Sequence, residues 1–212
     1  MIPEKIGCIF DMDGVLFLSS EIHYQAYCEA LAAEPVEVLD YRELSGMRTD
    51  SAIQKIFNKS GIVLNPEKLQ ELVSRKRGFA SEMLRKQPPV ATDCNKVIAE
   101  FYRRGIPMAL ASSSSSQNVQ LFLESSGTRN FFSVILSGDD VKNAKPDPEI
   151  FRIARTCFGI LPEFCFVIED SESGIRSAQA DGMKVIGVVA QHTQKELKLF
   201  GTVATISRLD EL

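Results

Sequence analysis

From residue 92 onward, short apolar runs alternate with helix-length amphipathic segments, and this regularity constrains the fold more than any other feature. Short apolar runs fall at 106–111, 131–136, 164–168 and 184–189, with a weaker one at 203–206. Helical patterns fill the gaps at 93–104, 116–125, 148–158 and 171–180, and Gly105, Gly127 and Gly182 stand at or just beyond three of their ends. Strands separated by helices of ten or so residues imply a parallel sheet with helices on both faces. The apolar run at 6–10 supplies one more buried strand, far upstream of the rest.

The alternation lapses between these two parts. Residues 17–87 show helical periodicity and no convincing strand. Ser20 can cap a first helix to about residue 33, with His23, Ala26, Tyr27, Ala30 and Leu31 on one side of it. Arg48-Thr49-Asp50-Ser51 reads as a second helix start. Asn65-Pro66-Glu67 reads as a third, with cap, first-turn proline and first-turn acid in place, continuing to about Leu84. Residues 85–89, with Pro88 and Pro89, read as a linker. The expected organisation is an α/β core with a Rossmann-like parallel sheet from 1–16 and 88–212, and an all-helical lobe, 17–87, inserted after the first strand.

The polar residues that follow the strands carry the chemistry. Phe10-Asp11-Met12-Asp13-Gly14 puts two carboxylates one residue apart at the end of the first strand. Ser112 follows the run 106–111, and Lys145 stands in Asn143-Ala144-Lys145-Pro146. Glu169-Asp170 follows the run 164–168. In a parallel sheet all strand C-termini lie along one edge, so these four pieces converge. Clustered carboxylates form a site for a hard cation such as Mg²⁺, whereas a lysine and a hydroxyl donate to an anion. Together they suit phosphoryl transfer to a carboxylate, in which positioning and charge neutralisation do most of the work.

Composition excludes other classes. The 212 residues carry a net charge of −4 with no long basic run, so neither nucleic acid nor an anionic membrane is expected as a partner. No run approaches the roughly 18 apolar residues of a membrane helix. The first strand is too short to be a signal peptide. The five cysteines are scattered and form no Cys-x-x-Cys pair, as expected of free thiols in a cytoplasmic protein. A monomer is the expected state.

Asp11-Met12-Asp13-Gly14-Val15-Leu16, Ser112, Lys145-Pro146 and Glu169-Asp170-Ser171 with Gly174 resemble the four signature motifs of the haloacid dehalogenase-like hydrolase superfamily, in order and over nearly the whole chain. The position of the helical insertion resembles the β-phosphoglucomutase-like group. The resemblance implies Asp11 as nucleophile and Asp13 as general acid and base. It assigns the Mg²⁺ site to Asp11, the Asp13 backbone carbonyl, Glu169 and Asp170, and has Ser112 and Lys145 hold the phosphoryl group. The second aspartate, Asp13, argues against dehalogenation, which has no phosphate-ester leaving group to protonate.

Several residues carry two readings. Ser112 suits a helix cap as well as a phosphate contact, and Ser113 and Ser114 read either as a polar loop or as substrate contacts. Lys76 interrupts the apolar stripe of the third helix, so it either snorkels to solvent or points into the cleft between lobe and core. His23 lies on an apolar face, either packed in a core or turned to substrate. Arg48, close to Gly46, either starts a helix at the surface or forks onto a phosphate. His23, Arg48 and Lys76 resemble in place and type the cap histidine, arginine and lysine of β-phosphoglucomutases. There are departures too: Leu18-Ser19 stands where Asp-Ser or Asp-Thr is usual, Ser45 replaces a mutase lysine before Gly46, and Cys94-Asn95 replaces a Pro-Gly pair.

The expected activity is therefore Mg²⁺-dependent hydrolysis of a small phosphorylated metabolite, a sugar phosphate, through an aspartyl-phosphate. The alternative is a β-phosphoglucomutase interconverting β-glucose 1-phosphate and glucose 6-phosphate. A non-catalytic metabolite-binding protein is the minor alternative.

Overall fold

The computed structural model describes residues 5–212, and residues 1–4 of the expected core lie outside the described residues. Six strands form one parallel sheet: β1 (Gly7–Phe10), β2 (Met108–Ala111), β3 (Val134–Leu136), β4 (Cys165–Glu169), β5 (Lys184–Val188) and β6 (Ala204–Ile206). Their order is β3-β2-β1-β4-β5-β6, the doubly wound Rossmann order. β1 therefore sits in the middle, with Ile9 level with Ala109 on one side and Val167 on the other.

The central strand is apolar throughout because both its faces are covered. Cys8 and Phe10 pack on one side with α4 (Cys94–Arg103) and α5 (Ser116–Ser126), through Ile98 and Phe122. Ile9 packs on the other side with α6 (Glu149–Phe158) and α7 (Glu172–Ala180), through Phe151 and Ile175. A short helix, α8 (Gln194–Leu199), precedes β6 and begins with a reciprocal Thr193–Glu196 capping box. The apolar periodicity of this segment is too short to reveal it, although Thr193-Gln194-Lys195-Glu196 is a capping-box pattern.

Between β1 and α4, three helices pack around an apolar cluster of their own: α1 (Ser20–Leu31), α2 (Thr49–Lys59) and α3 (Pro66–Lys86). Tyr27, Leu31, Ile53, Ile56, Phe57 and Leu72 fill it. Asn65 caps α3 by accepting from the Lys68 amide, as the sequence predicts. The cap expected from Ser20 is not made. Ser19 takes the N-cap position of α1, and its hydroxyl is committed to Asp13 instead.

The two chain passages joining helices to sheet run side by side. Leu18 N donates to Pro89 O at 2.7 Å and Ala91 N to Leu16 O at 2.9 Å. The first passage leaves β1 at Asp11, so the helices rise directly over the C-terminal edge of the sheet.

Candidate active site

All four polar pieces lie at the C-terminal edge of the sheet, on the loops after β1, β2 and β3 and at the end of β4. Lys145 is the hub. Its Nζ donates to Asp11 Oδ1 at 2.6 Å, to Glu169 Oε1 at 2.9 Å and to the Ala111 carbonyl at 3.2 Å, and it lies 4.6 Å over the Phe151 ring. The side chain is 1% exposed, so these bonds form in a dry, low-dielectric setting.

Asp11, Glu169 and Asp170 each offer an oxygen within 4.8 Å of the others, and all three are buried. Against three carboxylates Lys145 supplies one positive charge. Burial, then the neighbouring carboxylates, push Asp11 up to about 8 despite Lys145, and raise Asp170 well above the usual carboxylate range. Neither oxygen of Asp170 has a hydrogen-bond partner among the described residues. Two glycines make room for the cluster. A Cβ on Gly14, whose φ is +84°, would strike the Asp170 carboxylate, and one on Gly174 would strike that of Glu169. Three hard oxygen donors, one wholly uncommitted, fit a divalent cation.

The Asp13 carboxylate turns away from this cluster and toward the helices. It accepts from Ser19 Oγ at 2.5 Å, Ser114 Oγ at 2.7 Å, His23 Nε2 at 3.0 Å and Ser112 Oγ at 3.3 Å. Burial alone would raise its pKa, but His23 and the hydroxyl donors outweigh it and hold the group well below the usual range. With Asp13 ionised, Nε2 of His23 must carry the ring proton. Nδ1 then accepts from Lys76 Nζ, 3.0 Å away. Burial, then Lys76, depress the His23 pKa and keep the ring neutral. Lys76 also lies 4.4 Å over the Tyr27 ring, and burial pulls its amine down to about 7. Of the two readings of Lys76, the inward one is what the fold adopts.

The serine-rich loop divides its work. Ser112 Oγ accepts from the Ser114 amide, while Ser115 takes the N-cap position of α5 without a capping bond from its side chain. Ser113 Oγ donates to the Gly46 carbonyl at 2.7 Å, tying the helical layer to the sheet edge. Gly46 has a φ of +73°, and a Cβ there would collide with Ser171 Oγ. Arg48 is placed differently. Its guanidinium is held by Asp50 and donates to the carbonyls of Val141 and Lys142, and it does not line the chamber at Asp11.

That chamber encloses only about 30 Å³ and is walled by Asp11, Asp13, His23, Lys76 and a set of residues that sequence reasoning missed. These are Tyr27, Tyr41, Leu44, Met47 and Thr49 on the helical side. They read as ordinary core residues, and nothing in their spacing marks them. Ser19 did carry a signal, two residues after a buried Phe17 and within reach of the aspartate loop, but attention falls on Leu18, which is 56% exposed.

Residues 8–188 match the family model of the haloacid dehalogenase-like hydrolases, and the chain belongs to that family of enzymes. It is 32% identical over 206 residues to a phosphorylated carbohydrates phosphatase from Thermotoga maritima, covering 93% of this chain and 92% of that one. It is 28% identical to a chloroplastic 5-amino-6-(5-phospho-D-ribitylamino)uracil phosphatase from Arabidopsis thaliana, over 99% of this chain but only 57% of that longer protein. A structure of CbbY from Rhodobacter sphaeroides in complex with xylulose-(1,5)bisphosphate superimposes with a TM-score of 0.82 at 28% identity, covering 98% of this chain and 96% of that one. Among the described residues no helix is long and apolar enough to cross a membrane.

Proposed function

We propose that this protein is a Mg²⁺-dependent phosphatase of a small phosphorylated carbohydrate, working through an aspartyl-phosphate on Asp11. The observation that carries the reading is the buried Asp11–Glu169–Asp170 cluster, bridged by Lys145 and set beside a separately buffered second aspartate, Asp13. The names of the relatives, two phosphatases of phosphorylated carbohydrate-bearing compounds, support the substrate class.

Asp11, Glu169 and Asp170 would hold Mg²⁺, with the Asp13 carbonyl as a further ligand; bound there, the cation neutralises charge on the phosphoryl oxygens. An Asp11 carboxylate oxygen attacks phosphorus as the bond to the leaving oxygen breaks. Lys145 and Ser112 steady the phosphoryl oxygens, with Ser113 and Ser114 beside them. Asp13, once it carries a proton, gives it to the leaving oxygen, and the carboxylate so regenerated takes one from the attacking water. Its ionised state here is the one required for that second role.

We further propose that residues 17–87 form a cap that opens and closes over a core of 1–16 and 88–212. A phosphoryl group needs more room than the chamber offers, since about 30 Å³ is roughly one water's share of the liquid. The paired passages at Leu16–Leu18 and Pro89–Ala91 are the natural hinge. All five cysteines are free thiols, which supports a reducing, cytoplasmic setting.

One observation favours the mutase reading: His23 and Lys76 both reach the chamber, linked in series to Asp13. The deciding experiment supplies the protein with Mg²⁺, β-glucose 1-phosphate, a panel of other sugar and polyol monophosphates, and a trace of bisphosphorylated sugar. Free phosphate and glucose 6-phosphate are followed together, with Asp11→Asn as the control. We expect phosphate release, and a fall of at least about 10⁴-fold in kcat for Asp11→Asn. Glucose 6-phosphate forming faster than phosphate makes the protein a mutase. Neither product from any ester leaves a metabolite-binding protein on an enzyme fold.

A further inference from the structure

Twelve residues wall the chamber above Asp11, and all but one of their polar side chains are already engaged. Asp11, Asp13, His23, Lys76, Ser113 and Ser114 hold bonds within the site. The Tyr27 and Thr49 hydroxyls are paired with each other. The exception is Tyr41, whose hydroxyl has no hydrogen-bond partner among the described residues.

Tyr41 opens a single 3-10 turn, Tyr41–Glu43, between α1 and α2, and the turn is firmly fixed. Asp40 caps it by accepting from the Arg42 amide at 2.9 Å, and the Tyr41 carbonyl accepts from the Leu44 and Ser45 amides at 2.9 and 2.8 Å. The Tyr41 ring packs against the apolar cluster of the helical layer, where Leu44 is buried. Its far side borders an outer space of about 470 Å³ lined by Glu21, Glu37 and Asp40, so the ring is the partition between that space and the chamber. Burial, then the Asp13 charge, Tyr27 and the Asp170 and Asp11 charges hold the phenol protonated well above its usual range. Those groups belong to the chamber and the carboxylate cluster beneath it, not to the outer space.

A protonated phenol is a donor in search of an oxygen. In phosphoryl transfer the attacking and leaving oxygens lie roughly in line on opposite sides of phosphorus. Asp11 attacks from the sheet edge, so the leaving oxygen faces the helical layer, the side on which Tyr41 stands. The other donors of that layer are spent: His23 on Asp13 and Lys76 on His23. The phosphoryl oxygens, by contrast, have Lys145 and Ser112 on the core side.

We propose that Tyr41 is a further catalytic residue, whose hydroxyl donates a hydrogen bond to the leaving oxygen while Asp13 delivers the proton. The inference rests on the phosphatase reading and adds a residue to its first step. As the bond from phosphorus to the leaving oxygen breaks, its electron pair goes to that oxygen. The Asp13 proton passes to the same oxygen, the phosphoryl group becomes bonded to Asp11, and Tyr41 keeps its own proton throughout. A fixed neutral donor aimed where negative charge develops lowers the barrier without reorganising, and loss of one such donor typically costs about 10²–10³ in kcat.

The test compares the full chain with its Tyr41→Phe variant, both with Mg²⁺, on the best sugar or polyol monophosphate and on aryl phosphates whose phenols span a range of pKa. Tyr41→Phe keeps the ring and its packing and removes a hydroxyl with no protein partner, so its melting temperature should stay within about 2 °C of the wild type. The quantity read is kcat/KM, which covers every step up to departure of the leaving group. We expect it to fall about 30-fold or more for the carbohydrate ester and to stay within about threefold for p-nitrophenyl phosphate, whose leaving group carries its charge unaided. Across the aryl series the variant should depend more steeply on leaving-group pKa than the wild type. A purely structural role for Tyr41 would lower all esters alike and leave the two slopes parallel. Parallel slopes, or kcat/KM unchanged for every ester, overturn the assignment of Tyr41 and leave the phosphatase reading standing. A wild type that releases phosphate from no ester overturns the phosphatase reading, and Tyr41's role with it.

Discussion

At the scale of single residues, the site depends on side chains that are absent as much as on those present. Glycine inside a helix ordinarily costs roughly 1 kcal/mol relative to alanine, so Gly174→Ala in α7 would stabilise an unconstrained helix. Here the added methyl would occupy the position of the Glu169 carboxylate. We therefore expect Gly174→Ala to destabilise by roughly 2–3 kcal/mol, the range of a buried steric and polar conflict, as read from urea midpoints. The rise in melting temperature that the proposed Mg²⁺ site predicts on adding the cation to the wild type should also shrink, because Glu169 can no longer keep its place beside Asp11 and Asp170. A Gly174→Ala variant as stable as the wild type would mean that Glu169 has an alternative seat.

At the scale of elements, α1 and α3 meet through a buried basic pair instead of hydrocarbon alone. Lys76, on α3, contributes to its helix only by entering an apolar face, where burial lowers its amine from the ordinary 10.5 to about 7. Between those two values the unfolded chain holds a proton that the folded chain has released. Stability must then rise with pH through this window, by up to about 1.4 kcal/mol per unit. Lys76→Met removes the group, so the wild type should gain on the variant between pH 7.5 and 9.5 in urea titrations, and the variant should be the more stable near pH 7. Parallel curves for the two proteins would mean that Lys76 keeps its proton when buried.

At the scale of the whole molecule, helical layer and sheet edge are clasped by a few polar contacts. Arg48 reaches the Val141 and Lys142 carbonyls, Arg77 pairs with Asp139, Ser113 bonds Gly46, and Ser81 bonds Asn118. Polar clasps of this kind can be released and re-formed far more readily than a hydrophobic interface, as the proposed cap motion requires. Arg48→Ala should raise amide exchange around residues 44–49 by about tenfold, equivalent to about 1.4 kcal/mol of local opening, and leave α3 protected. Unchanged exchange would assign closure to the other contacts.

The α/β core with its helical insertion and the four groups at the sheet edge were legible in the chain itself. Strand and helix periods differ, so burial on both faces writes itself into local sequence, and a parallel sheet brings strand ends to one side. Asp11, Ser112, Lys145 and Glu169-Asp170 are each placed by a strand immediately before them or by the loop that follows one. The helical wall of the chamber was legible only in part. Lys76 and His23 betrayed themselves as polar residues on apolar stripes, whereas Tyr27, Tyr41 and Met47 look like any core residue. Arg48 offered a helix start or a fork onto phosphate, and it takes the N-cap position of α2 and grips backbone carbonyls. Such assignments depend on how two layers dock, and no local pattern records docking. Sequence determined which elements form and which edge is reactive; tertiary packing alone decided which side chains face each other across the cleft and which buried polar atoms are left without a partner.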